Sequence, residues 1–355
     1  MGNLTKSKRI FYFDALRAMA ITCVVIVHMY ALVGYHMAGA YPNITFDWFF
    51  TQVLGNPLRI GVDLFLILSG ALSLGRDWDI KSFLGKRLPR IALPFLFWNI
   101  VLITLYIYFS YRGNVHYLNS FDIESIFNYI LNAFVGKTIG FGPNWFFWMI
   151  LGTYFFMPII NKWLYHADIR EAEYFLAIWL ITCLFDFTLM RSFPIKLNYF
   201  TSPIGLVVLG YYLRHTERKI FKNRYFVAAL ILIPASILMI KSYLLSSPTY
   251  MAYPHRYSLW LCLEVAGIFL LFRNTDFHIN EDGILYRIIF ALAKYSYGIY
   301  IFHYSVMLYL MRNLIIHVNH SLYMVIIISL TLGISVAIMS ILNRIPYLNR
   351  IIGAK

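Results

Sequence analysis

The sequence predicts an all-α, polytopic membrane protein with about ten transmembrane helices and both termini in the cytoplasm. Three observations predict it. Apolar residues make up 60% of the 355 and charged residues only 13%, whereas a soluble domain is about half apolar and a quarter charged. The apolar residues gather into runs near the roughly twenty needed to cross a bilayer as a helix. The basic residues are distributed unevenly between alternate connecting segments.

In chain order the runs fall at 11–34, 57–74, 91–111, 144–164, 173–190, 199–214, 225–244, 256–273, 287–311 and 322–342. The second and sixth are short. A further stretch, DIESIFNYILNAF at 122–134, has the pattern of an amphipathic helix lying on the membrane surface. Residues 11–345 read as one transmembrane domain, without repeats or a soluble domain. The first run follows Lys6, Lys8 and Arg9, and AGA at 38–40 resembles a signal-peptide cleavage site. The run is longer than a signal peptide's and carries Asp14 and Arg17, so an uncleaved first helix is expected. Cys23, Cys183 and Cys262 fall inside apolar runs and read as buried thiols.

With the N-terminus inside, 22 of the 30 lysines and arginines fall on the cytoplasmic side, which is the positive-inside pattern. The net charge of +14 is thereby accounted for by membrane topology and anionic lipid, and nucleic-acid binding is excluded. Aromatics, at 19%, suit interfacial belts.

The functional question is posed by FDALRAMAITCVVIVH, at 13–28. At 100° per residue, Arg17 lies about 60° and His28 about 40° from Asp14, so all three share one helix face. About 16 Å of rise separates Arg17 from His28. Ionisable groups at membrane depth face a bundle interior or wet cavity, so this face predicts a polar channel. Asp63, in RIGVDLFLILSG, is expected at a depth similar to His28. A carboxylate beside an imidazole fixes its tautomer and makes it a general base; the same pair could simply hold two helices together. The segment KSFLGKRLPR brings Lys86, Arg87 and Arg90 near Arg17 at the inner surface. Guanidinium forks suit phosphates, although topology alone also places basic residues there. In KYSYGIYIFHYSV, Ser296, Tyr300 and His303 share a face at i, i+4 and i+7. Asn144 and Trp145 stand at the outer boundary, as an aromatic belt or a surface for a sugar ring. Glu264 and Asp186 are ionisables without an evident partner. No phosphate-binding glycine loop, zinc spacing or serine nucleophile elbow occurs.

Taken together, FDALRAMAITCVVIVH, GVDLFLILSG, KRLPRIALPF, PNWFFWMILGTYFFMPII and SYGIYIFH resemble, in order and spacing, the acyltransferase-3 family of integral membrane acyltransferases. Within it the chain is most similar to surface-polysaccharide O-acetyltransferases, such as the one acting on enterobacterial common antigen. The resemblance covers about 10–345. It implies transfer of an acyl group, usually acetyl, from cytoplasmic acetyl-CoA to a hydroxyl of a glycan or lipid-linked sugar, with no permanently bound cofactor. It places the family's helix-one Arg and His on Arg17 and His28, its basic R-x-x-R on Arg87 and Arg90, and its helix-two acid on Asp63. LFLILSGAL departs from the family by lacking paired aromatics and a Tyr, and no esterase-like domain is expected.

The combined expectation has the phosphates of acyl-CoA on Arg17, Lys86, Arg87 and Arg90. His28 and Asp63 are catalytic, and Asp14, Asn144, Trp145, Ser296, Tyr300 and His303 line the channel or acceptor pocket. No metal is expected. His28 acts as general base or carries the acyl group covalently. An exporter of glycans or lipid-linked saccharides is the other class such a bundle fits, although no broken-helix repeat of the kind exporters use is evident.

Overall fold

The computed structural model describes residues 10–36, 45–113, 118, 120–191, 195, 197, 203–246 and 252–354. Within these residues the chain is helical and contains no strand. Its helices are α1 (Phe11–His36), α2 (Phe46–Gln52), α3 (Gly61–Ser73), α4 (Ile80–Tyr111), α5 (Ile123–Phe134), α6 (Trp145–His166), α7 (Ile169–Leu184), α8 (Ile204–His215), α9 (Arg224–Leu245), α10 (Leu259–Asn274), α11 (Ile284–Asn313), α12 (His320–Leu342) and α13 (Leu348–Ile351). The protein is an all-α polytopic membrane protein.

Each of the ten predicted runs lies largely in one of these helices. Among the described residues, seven helical segments are long and apolar enough to cross a membrane. The other three runs correspond to α6, α8 and α10. With 12 and 16 residues, α8 and α10 rise only about 18 and 24 Å, short of the roughly 30 Å hydrocarbon layer. Such short helices are tolerated because neighbours enclose them, and α8 is buried along most of its length. By contrast, α6 has the length, with 22 residues, but Asn161, Lys162 and several aromatics dilute its hydropathy. Residues 199–202 of the sixth run, the AGA segment at 38–40 and Lys6, Lys8 and Arg9 lie outside the described residues.

Helix starts follow capping chemistry. The side chains of Asp79, Asp122, Ser258 and Asn319 accept the first free amides of α4, α5, α10 and α12. The surface helix expected at 122–134 is α5. It buries Tyr129 and Ala133 and turns Ile123, Phe127 and Leu131 outward, as a helix lying in an interface does. Hydrogen bonds from the Ser120 hydroxyl, then from the Ser125 amide and hydroxyl, hold its cap Asp122 down at about 2.

The bundle is organised around α1, which packs on α11 and α3, while α3 packs on α8. The 32 residues of α4 rise about 48 Å, so its first turns, with Lys86, Arg87 and Arg90, extend past the hydrocarbon. The tail after α12 folds back under the bundle, where Trp98 Nε1 donates to the Ile352 carbonyl at 3.0 Å.

Two glycines set the α3–α8 distance. A Cβ on Gly70 would lie 1.8 Å from the Val207 carbonyl oxygen, and one on Gly210 would lie 2.0 Å from that of Ile67. Backbone meets backbone here, as at small-residue contacts between membrane helices, and neither oxygen can move without breaking a helix. Gly70→Ala or Gly210→Ala is therefore expected to destabilise the protein by at least about 2 kcal/mol, within the range for overpacked cores. Thermal unfolding in detergent micelles checks this; a wild-type melting temperature in either variant would contradict the contact.

Candidate active site

A cavity of about 530 Å³ opens at the end of the bundle that the basic residues assign to the cytoplasm. Volumes of this order hold small-molecule ligands. Its walls come from α1, α3, α4, α6, α8, α11 and Gly353 of the tail. Among the described residues six cations line it, Arg17, Arg76, Arg87, Arg90, Arg214 and Lys294, against the single carboxylate of Asp14. Arg17 Nη1 donates to Asp14 Oδ1 at 2.8 Å. Arg87 Nη2 donates to the Ser73 hydroxyl at 2.7 Å, and its guanidinium stands 5.7 Å from the Phe83 ring centroid. Arg214 Nη1 donates to the Ala71 carbonyl at 2.5 Å and faces the Phe13 ring at 5.4 Å. These contacts aim the guanidinium groups, and those of Arg87 and Arg214 are made to a hydroxyl and a carbonyl rather than to a carboxylate.

Toward the membrane interior the cavity is lined by Ser296, Tyr300, Phe65 and Phe146. Tyr300 donates to the Pro143 carbonyl at 3.3 Å, and its ring lies 4.6 Å from Phe146. One helical turn further along α11 is His303, fully buried, its ring 5.9 Å from that of Tyr300. Nε2 of His303 meets Nδ1 of His28, from α1, at 2.9 Å. The His28 ring is half-buried and stands edge-on to Tyr304 at 5.5 Å.

The hydrogen-bond network assigns the protons of this pair. His303 Nδ1 faces two carbonyl oxygens, of Ile299 at 3.0 Å and Tyr300 at 2.8 Å. Carbonyls only accept, so Nδ1 carries the hydrogen and, in the neutral ring, Nε2 is the acceptor. His28 Nδ1 must then be the donor across the 2.9 Å contact. His28 Nε2 is left with its lone pair, the form a general base requires.

Five of the predicted residues, Asp63, Lys86, Asn144, Trp145 and His303, are placed differently from the expectation. Asp63 does not orient His28. It is fully buried, and its two oxygens have no hydrogen-bond partner among the described residues; the charges acting on it are those of Arg256 and Arg59. The reason is azimuthal. Gly61 is the α3 residue that faces α1, its missing Cβ 2.7 Å from the Ala20 carbonyl. Two residues on, Asp63 is rotated about 200° and points away. Lys86 is exposed and forms no part of the cavity wall. It lies one turn before Arg90 on the part of α4 that leaves the bundle. Asn144 does not reach the cavity either, because its amide is spent on Asn99 Oδ1 at 2.7 Å and the Ala133 carbonyl at 2.8 Å. Trp145 lies beneath the guanidinium of Arg256, 3.6 Å from the ring centroid. His303 lies behind the cavity's end rather than along it, so the passage is closed at Tyr300. Asp14, Arg17, Arg87, Arg90, Ser296 and Tyr300 do line the cavity.

Arg76, Arg214 and Lys294 were not distinguishable in sequence from other inner-surface cations. Arg214 ends α8 as a C-terminal basic residue often does. Glu264 is buried on α10 with Oε2 unpartnered and its charge acting on Cys23 of α1.

The geometry defines a membrane protein with a cation-lined cavity on one side and a polarised imidazole pair behind it. A family model described as an acyltransferase domain, the acyltransferase-3 model, matches residues 10–340. The chain belongs to that family and is a membrane acyltransferase. Comparison with curated proteins and with solved structures gives no match.

The proton assignment is checked by ¹⁵N NMR of histidine-labelled protein. In His28, Nε2 is expected to resonate as an unprotonated ring nitrogen and Nδ1 as a protonated one. A proton on Nε2 would reverse the polarity of the pair.

Proposed function

We propose that this acyltransferase is an O-acetyltransferase of the cell membrane. It moves an acetyl group from cytoplasmic acetyl-CoA to a hydroxyl of a cell-surface glycan or lipid-linked sugar. The observation that carries the reading is the imidazole pair standing one turn behind the end of a six-cation cavity. A coenzyme A ester is a polyphosphate with a long arm, which matches a cavity lined by cations at its mouth and by aromatic side chains further in.

In this reading Arg17, Arg76, Arg87, Arg90, Arg214 and Lys294 neutralise the phosphates. The thioester arm follows α1 across the roughly 16 Å between Arg17 and His28. Tyr300 must turn aside to let it pass. His28 Nε2 takes the proton of the acceptor hydroxyl as that oxygen attacks the thioester carbonyl carbon. The carbon–sulfur bond then breaks, and the leaving thiolate takes the proton from His28. His303 holds the His28 ring in the productive tautomer, the part the sequence assigns to Asp63. General-base help of this kind contributes about 10² to 10⁴ in rate.

His28→Ala is expected to lower acetyl transfer to isolated cell-envelope glycans by at least about 10²-fold while leaving CoA binding intact. His303→Ala is expected to lower kcat about tenfold or more, with KM for the donor little changed. Arg87→Ala together with Arg90→Ala is expected to raise KM for acetyl-CoA at least tenfold and to flatten its salt dependence. Radiolabel transfer with purified protein reads all three. Normal turnover by His28→Ala removes the imidazole from the mechanism, and glycan movement without labelling would support export instead.

A further inference from the structure

The reaction scheme leaves unused a second group of charges, at the opposite end of the bundle from the basic cavity. Arg59 belongs to the short turn that leads into α3, and Arg256 to the loop that leads into α10. Each guanidinium is held against an aromatic face: Arg256 stands 3.6 Å from the Trp145 centroid and Arg59 4.7 Å from that of Tyr253. Neither forms an ion pair among the described residues, which include all sixteen aspartates and glutamates. Asp63 is the carboxylate whose charge acts on both, yet it bonds neither, and its two oxygens are buried and unpartnered.

Stacking uses the flat face of a guanidinium and leaves its N–H fork at the edge. Two half-buried forks positioned by aromatic rings and, for Arg256, by the Tyr257 side chain, with no carboxylate hydrogen-bonded to either, keep donors free for an anion from outside the chain. Next to them the His255 ring lies flat on Phe187, 4.3 Å away at 5°, with Tyr257 edge-on to both. Burial, then the Arg256 charge, holds the His255 imidazole below its usual range. The charge of Arg59 reaches His28, and that of Arg256 reaches Tyr300. Arg59 is thus coupled to one member of the imidazole pair and Arg256 to the tyrosine beside it.

We propose that Arg59 and Arg256 form an anion subsite beside the acceptor hydroxyl, and that the acceptor is a saccharide carrying a negative group. The proposal rests on the acyltransferase reading for the word acceptor, but the subsite itself does not. The anion is either a carboxylate on the sugar ring or the phosphodiester joining a sugar to its lipid. The surrounding rings offer faces on which the sugar stacks.

Binding by the full-length chain in phospholipid-free micelles tests this, with methyl glucuronide, a methyl phosphodiester of glucose, and uncharged methyl glucoside as probes. At least one anionic probe is expected to bind about tenfold or more tightly than the glucoside. A preference for the glucuronide identifies a ring carboxylate, and a preference for the phosphodiester identifies the lipid linkage. Arg59→Gln and Arg256→Gln should each reduce the preference, and the double variant should abolish it. Glucoside affinity and CoA binding should stay within about twofold, which also certifies the fold. Arg256→Lys, which keeps charge but loses the fork, should fall between. Equal affinity for charged and uncharged probes, no binding of either anionic probe, or a preference that survives the double variant would overturn the subsite. If the preference holds but no acyl transfer occurs, the subsite stands and the acyltransferase chemistry is what fails.

Discussion

The hydrogen bond between His28 and His303 is the contact around which the rest of the structure is arranged. An imidazole at membrane depth must find a polar partner, and here each ring supplies the other's. The direction of the bond is set by α11 itself, because the Ile299 and Tyr300 carbonyls occupy the His303 Nδ1–H. A backbone feature of one helix thus determines which nitrogen of another helix is basic. The same contact fixes the mutual register of α1 and α11, the two helices that carry Asp14, Arg17, Lys294, Ser296 and Tyr300 into the cavity wall.

The second constraint is electrostatic. Six cations surround one carboxylate in the cavity, an arrangement that is unfavourable until an anion arrives and that raises the local concentration of anions. Arg87 and Arg214 are held by contacts that do not neutralise them: a hydroxyl for Arg87, a carbonyl for Arg214 and ring faces beside both. The same device recurs with Arg59 and Arg256 at the other end of the bundle, over Tyr253 and Trp145. Between the two positive ends stands the imidazole pair, with Tyr300 and Phe146 lining the inner cavity on its near side.

Much of this was legible in the residues. Hydrophobic run length located every long helix, since a bilayer leaves few alternatives to a helix of about twenty residues. The 3.6-residue period placed Asp14, Arg17 and His28 on one face, and the R-x-x-R pair falls where its charge suggests. Azimuth across helices was not legible. Depth along α3 matched Asp63 to His28, but only the Gly61 contact with Ala20 reveals which way α3 is rotated. His303 was visible as a membrane-depth histidine, yet its partner lies 275 residues away, and no local pattern encodes that pairing. Arg76, Arg214 and Lys294 looked like ordinary inner-surface cations because convergence on one cavity is a property of packing. Asn144 shows the opposite case, a polar residue in a suggestive motif whose amide satisfies Asn99 and Ala133.

A cryo-EM structure of the protein with coenzyme A bound decides whether donor cavity and imidazole pair form one site. The nucleotide phosphates are expected among Arg17, Arg87, Arg90 and Arg214, with Tyr300 rotated and the thiol within hydrogen-bonding reach of His28. Nucleotide density elsewhere, or an arm that leaves the cavity without approaching the imidazole pair, would contradict it.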